Sequence, residues 1–157
     1  MVSTDCGGSL DVHYHHKRPV GERWARWALA RNYGFGLTPS GPLVNQVRSK
    51  GDTIVVSFRY GHGLTTSDGR DPRSFEIAHD DGIFRPAKAV IEGNKVMLTA
   101  EGVKAPRYVR YAWQPFTRAN LVNSDLLPAS TFRAKAKAKK HNKHKGQKHK
   151  PRSNHHN

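Results

Sequence analysis

Beyond Gly36 the apolar residues of this chain recur at every second position, in runs too short for anything but small strands. Ile54, Val56 and Phe58 share one side of a pleat, and Val55, Ser57 and Arg59 share the other. Val96, Leu98 and Ala100 repeat the pattern, as do Val109, Tyr111 and Trp113. Gly93-Asn94 separates two β-prone runs, and a Gly-first loop of two residues predicts a type II′ hairpin. Lys50-Gly51-Asp52 and Asp80-Asp81-Gly82 mark further turns. Strands are predicted at 43–48, 53–59, 75–78, 83–85, 89–91, 95–99 and 108–113. So many short strands with such punctuation predict a mainly β fold, a small β-sandwich. Residues 61–73, rich in Gly, Thr, Ser and Asp, predict a long mobile loop between strands.

One segment upstream has a different period. Val20, Trp24, Trp27 and Ala28 follow i, i+4, i+7, i+8 spacing, which predicts a helix over 19–33 with one apolar stripe. Pro19 suits its first position, Glu22 its positive end, Arg31 its last turn and Gly34 its stop. Two tryptophans on so short a helix predict burial against a sizeable partner, and Trp113 on its strand face predicts the same.

The charge is uneven. Nine of the 27 Lys/Arg lie in residues 134–157, which hold no carboxylate, leaving 18 against all 12 acidic residues before them. The body is thus about +6, and most of the basicity belongs to the tail. Lys-Ala repeats mixed with His and Lys offer nothing to bury and predict disorder. The tail can contact a polyanion by counterion release, without base preference, since it has no aromatic residue. Cys6 is the only cysteine, so no internal disulfide forms. No apolar run reaches membrane-spanning length, and the first ten residues lack the pattern of a signal peptide.

The N-terminal run carries the chemistry. Residues 1–5 are β-prone, Gly7-Gly8 marks a loop, and Asp11-Val12-His13 follows. An Asp and a His held together on a loop at a strand end suit the acid and base of a nucleophilic hydrolase. A plain loop histidine is the competing reading of the residues alone. His13, His15 and His16 can offer imidazoles to a metal, but no second ligand cluster accompanies them, and no metal or cofactor is expected.

Several motifs in order give a more specific reading. Asp11-Val12-His13, Lys17, Pro19-Val20-Gly21-Glu22-Arg23 and Trp27-Ala28-Leu29-Ala30 resemble the "DIHP…K…VGERLA…WALA" segment of the sialate O-acetylesterase family. That family belongs to the SGNH (GDSL-like) hydrolases. Ser40-Gly41-Pro42-Leu43 resembles its "SGPLY". Arg110-Tyr111-Ala112-Trp113, Asn120-Leu121 and Leu127-Pro128-Ala129-Ser130 with Phe132-Arg133 resemble its "VRYAW…NLYN…GLPASPFRT" ending. Tyr14 stands where the family has Pro, and His15-His16 where it has Lys-Asn.

The resemblance implies that residues 1–36 are the last strand, loop and helix of an α/β esterase domain, residues 37–133 a β-sandwich domain, and 134–157 a disordered tail. It implies a Ser-His-Asp hydrolysis of acetylated sugars, with His13 as general base and Asp11 orienting it. Asp5 is the alternative acid. The serine belongs to a part of the parent outside this chain, so the chain alone is expected to be inactive. The parent enzyme is expected to be secreted or periplasmic. The competing expectation is a non-catalytic β-sandwich module that binds glycans or polyanions.

Overall fold

The structure, a computed structural model, describes residues 1–8 and 16–137. Helix α1 (Lys17–Arg31) comes first and ten strands follow. They are β1 (Leu43–Lys50), β2 (Thr53–Arg59), β3 (Thr65–Thr66), β4 (Phe75–Ala78), β5 (Arg85–Pro86), β6 (Lys88–Glu92), β7 (Lys95–Thr99), β8 (Tyr108–Tyr111), β9 (Leu121–Val122) and β10 (Phe132–Lys135). One antiparallel sheet has the order β1-β2-β7-β6, a second the order β10-β8-β4-β5, and β3 pairs with β9. The predicted mainly β architecture is therefore the observed one. None of the described helices is long and apolar enough to cross a membrane.

Alternation builds the core. Along β2 the side chains at Ile54, Val56 and Phe58 are buried, and those between them are not. Val96 and Leu98 on β7 join them from the same sheet. Phe75, Ile77, Val109, Tyr111 and Phe132 come from the second sheet, so the two sheets bury one common cluster. Tyr111 sits among rings, 4.5 Å from Phe75 and 5.9 Å from Phe132 between centroids. Its hydroxyl accepts from the Leu121 amide at 3.1 Å, so the buried phenol keeps a partner. Burial pushes its pKa up to about 12. The β6–β7 turn has Gly93 at φ +60 with Glu92 opposite Lys95, the geometry expected of a Gly-first hairpin.

The described chain differs from expectation in several places, each for a physical reason. Residues 1–5 form no strand; the chain turns at Thr4-Asp5, with the Cys6 amide bonded to the Ser3 carbonyl at 3.1 Å. The helix starts two residues early, at Lys17, and Glu22 pairs with Arg18 at 2.6 Å instead of serving the first turn. Residues 61–73 are tied down. They contain β3, the buried Leu64 and the Asp68–Arg73 ion pair, and Asn120 donates to Asp68 at 2.8 Å. The expected boundary at Arg133 falls inside β10; Ala136 is buried and the Lys137 amide donates to Val47 at 3.0 Å. The expected disordered tail therefore begins no earlier than residue 138, and 138–157 lie outside the described residues.

The tryptophans also depart from the expected burial. Trp24 is 62% exposed and Trp113 is 48% exposed, while Trp27 is half-buried against Tyr60. Ala112 has φ +52, which ends β8 at Tyr111 and turns Trp113 out of the strand's alternation. The helix has no fully buried residue at all.

The Ser40-Gly41-Pro42 turn fits under the Leu127-Pro128 backbone. A Cβ on Gly41 would lie 2.0 Å from the Pro128 carbonyl oxygen and 2.6 Å from that of Leu127. Both neighbours are main chain and cannot swing aside. Gly41→Ala is therefore expected to cost about 3 kcal/mol through forced backbone shifts, read as a lower urea midpoint. An unchanged midpoint would show that the two loops separate freely.

Candidate active site

Asp11 and His13 lie in residues 9–15, outside the described residues, as does His15. The structure describes what holds the two ends of that segment. On one side is the turn at Thr4-Asp5, on the other the start of α1, with His16 as its N-cap residue.

Arg23 fastens the first of these to the helix. Its guanidinium donates to both oxygens of Asp5, at 2.7 and 2.6 Å, and to the Val2 carbonyl at 2.9 Å. This two-pronged contact matches the planar fork of arginine to the carboxylate. The Arg23 side chain is only 12% exposed, so the pair is partly withdrawn from water. Burial raises the pKa of Asp5, but the hydrogen bond and charge of Arg23 outweigh it and hold the carboxyl below its ordinary value. Cys6 is buried beside this pair. Burial and then the Asp5 charge push its thiol up, which is the opposite of what an activated thiolate needs.

The sign of the Asp5 shift makes a pH prediction. A depressed carboxylate stabilises the fold above its unfolded value, and that contribution is lost as pH falls through the folded value. Asp5→Asn is expected to lower Tm at pH 7. That difference should shrink as pH falls from 7 through the folded value of Asp5, and vanish once both side chains are neutral. A constant difference across that range would remove the ion pair as the cause.

A second set of contacts joins α1 to the sandwich. Arg26 donates to the Thr38 carbonyl at 2.9 Å and lies 3.4 Å from Asp125. Arg31 donates to the Tyr60 hydroxyl at 2.7 Å, and Trp27 meets the Tyr60 ring edge-on at 6.4 Å. A small cleft between Val2, Arg23, Trp27, Gly41 and Pro128 brings the N-terminal turn, the helix and the Ser40-Gly41-Pro42 turn together. Two asparagines complete the frame. Asn123 is fully buried and donates to the carbonyls of Ser40 at 3.1 Å and Tyr60 at 3.0 Å. Its side-chain oxygen accepts from the amides of Leu127 and Asp125. Asn120 is bound in the same manner between Asp68, Asp71 and Arg73.

Of the residues singled out in the sequence, the structure thus places Asp5 on Arg23. It leaves Asp11 and His13 undescribed. Sequence reasoning missed Arg23, Arg26 and Asn123. Arg23 lies in the quoted Val20-Gly21-Glu22-Arg23 motif, which was the available signal, but its partner is 18 residues away and leaves no local pattern. Among the described residues no group of three or more His, Cys, Asp or Glu could hold a metal ion.

No family model matches the chain, and no curated protein matches it. A solved structure does: a carbohydrate acetylesterase from Xanthomonas citri, with a TM-score of 0.79 and 38% sequence identity over 83% of this chain. The chain is similar to a carbohydrate esterase. It spans 31% of the length of that acetylesterase. The expected esterase relative is therefore present at the level of carbohydrate acetylesterases.

Proposed function

We propose that this chain is the C-terminal part of a carbohydrate O-acetylesterase of the sialate O-acetylesterase type, working by a Ser-His-Asp mechanism. The observation that carries the reading is the 38% identity to a carbohydrate acetylesterase over 83% of the chain. In the proposed mechanism His13 takes the proton from a serine supplied by the rest of the enzyme. It returns that proton to the sugar oxygen as the acetyl ester breaks. Asp11 holds the imidazole in the required tautomer. Water, activated by the same histidine, then releases acetate from the acyl-serine.

The architecture supports this reading in two ways. The Arg23–Asp5 fork and the start of α1 anchor both flanks of the segment that carries Asp11 and His13. Both oxygens of Asp5 are already engaged by Arg23, which favours Asp11 over Asp5 as the acid. In addition, α1 presents Trp24, and the residues after it present Tyr33 and Phe35, all exposed. Exposed aromatic side chains suit contact with the body of a larger catalytic domain.

The test is a chimera in which the matched third of the Xanthomonas citri acetylesterase is replaced by this chain. The chimera is expected to hydrolyse p-nitrophenyl acetate, whereas the isolated chain is expected to do no better than free imidazole. A folded but inactive chimera, or an isolated chain with turnover far above imidazole, would overturn the reading.

A further inference from the structure

The outer face of the first sheet carries charges that the fold does not use. Register places Arg48 and Lys50 of β1, Arg59 of β2, Lys95 of β7 and Lys88 of β6 on that face, and all five are exposed. Glu92, opposite Lys95, is its one carboxylate. Among the described residues none of the five cations forms an ion pair. Elsewhere Arg23, Arg26, Arg73, Arg107 and Arg110 each hold a carboxylate. Like charges gathered on one sheet repel and gain nothing for folding.

The rows between the charges are equally regular. Arg48 faces Val55, Val55 faces Met97, and Met97 faces Val90, a row that crosses all four strands. At strand spacing it spans about 14 Å. Val55 and Met97 are half-buried and Val90 is exposed, so the row is a shallow apolar stripe. Beside it Lys50 faces Thr53 and Lys88 faces Thr99, giving hydroxyls inside and ammonium groups at both margins.

We propose that this face binds an acidic polysaccharide laid across the four strands. Its carboxylate or sulfate groups meet Arg48, Lys50, Lys88 and Lys95. Its sugar C–H faces rest on the Val55–Met97–Val90 stripe, and its hydroxyls bond Thr53 and Thr99. A single-stranded nucleic acid fits less well, because the face presents no aromatic ring on which a base can stack. Helix α1 meets the sandwich through Thr38, Tyr60 and Asp125, none of which is a residue of this face. Lys137 pairs with Arg48 at the open edge of β1, and the sequence beyond it adds seven Lys/Arg and no carboxylate. Polyanion contact, expected from the tail alone, thus gains a partner on the folded body.

The surface does not depend on the esterase reading, and a different assay tests it. The full chain with the seven Lys/Arg of residues 138–157 changed to Gln is titrated with polygalacturonate and, separately, with single-stranded DNA, over a range of salt. It is expected to bind the polyuronate with an affinity that falls as salt rises. Arg48→Gln, Lys50→Gln, Lys88→Gln and Lys95→Gln together are expected to weaken that binding roughly tenfold or more and to flatten the salt slope. Should that variant lose its β-sheet circular dichroism, Lys50→Glu with Lys88→Glu replaces it with the same expectation. Undiminished polyuronate binding in a folded variant, or no polyuronate binding before substitution, would overturn the proposal. Single-stranded DNA bound as tightly as the polyuronate would do so too.

Discussion

In the acetylesterase chimera, His13→Ala lowers kcat on p-nitrophenyl acetate by about four to six orders of magnitude, the range seen when the base of a catalytic triad is removed. The size follows from the division of labour in acyl transfer. Without the imidazole, serine must lose its proton to water and the alkoxide must leave unprotonated, while substrate binding and oxyanion stabilisation survive. KM should therefore change little. Asp11→Asn should cost on the order of 10⁴ through the wrong tautomer. Asp5→Asn should leave kcat within about tenfold and act on stability instead, because its carboxylate serves Arg23. A severe Asp5→Asn beside a silent Asp11→Asn would exchange the two roles. A chimera that stays active with His13→Ala would remove this histidine from the mechanism.

The second large effect concerns the frame. Asn123→Asp removes two N–H donors from the carbonyls of Ser40 and Tyr60 and sets a carboxylate against them in a fully buried site. Leaving such groups unmatched costs about 1–3 kcal/mol each, and an unpaired buried charge costs more. A loss of about 4 kcal/mol or more is expected, a large share of the 5–15 kcal/mol typical of a domain. Urea denaturation measures it. Asn123→Ala bares the same two carbonyls and also the Leu127 and Asp125 amides, so it should cost several kcal/mol through unmatched groups alone, without a buried charge. A loss below about 1 kcal/mol for Asn123→Asp would show that these loops are not held by this side chain.

The parts of the fold that the sequence displayed are those whose own alternation decides burial. The bounds of β2 and β7 follow from Ile54–Val56–Phe58 and Val96–Leu98 alone. The strands that escaped notice lack such a signal. β3 and β9 have two residues each and exist because they pair with one another. β10 runs into an Ala-Lys repeat, where the inward Ala136 is too small to stand out from low complexity. Trp24 obeys the helical period, yet no described part of this chain covers it. The candidate site was legible only through its motifs, since the Arg23–Asp5 and Asn123 contacts join residues far apart in sequence. Asn120 was visible within a motif, but its role as a clamp on the 68–73 loop needs the folded chain.

The contact between Lys137 and β1 has a consequence for handling the protein. β1 is the outermost strand of its sheet, and an open strand edge is a template for pairing with another molecule. The Lys137 backbone occupies part of that edge by bonding to Val47. A truncation at Arg133 cuts β10 in half and bares β1 in the same stroke. The shortened protein would then present a free, extended strand of eight residues to its neighbours. Self-association and precipitation would follow, because the residues removed include 134–137, which look, in the sequence, like the start of an expendable tail.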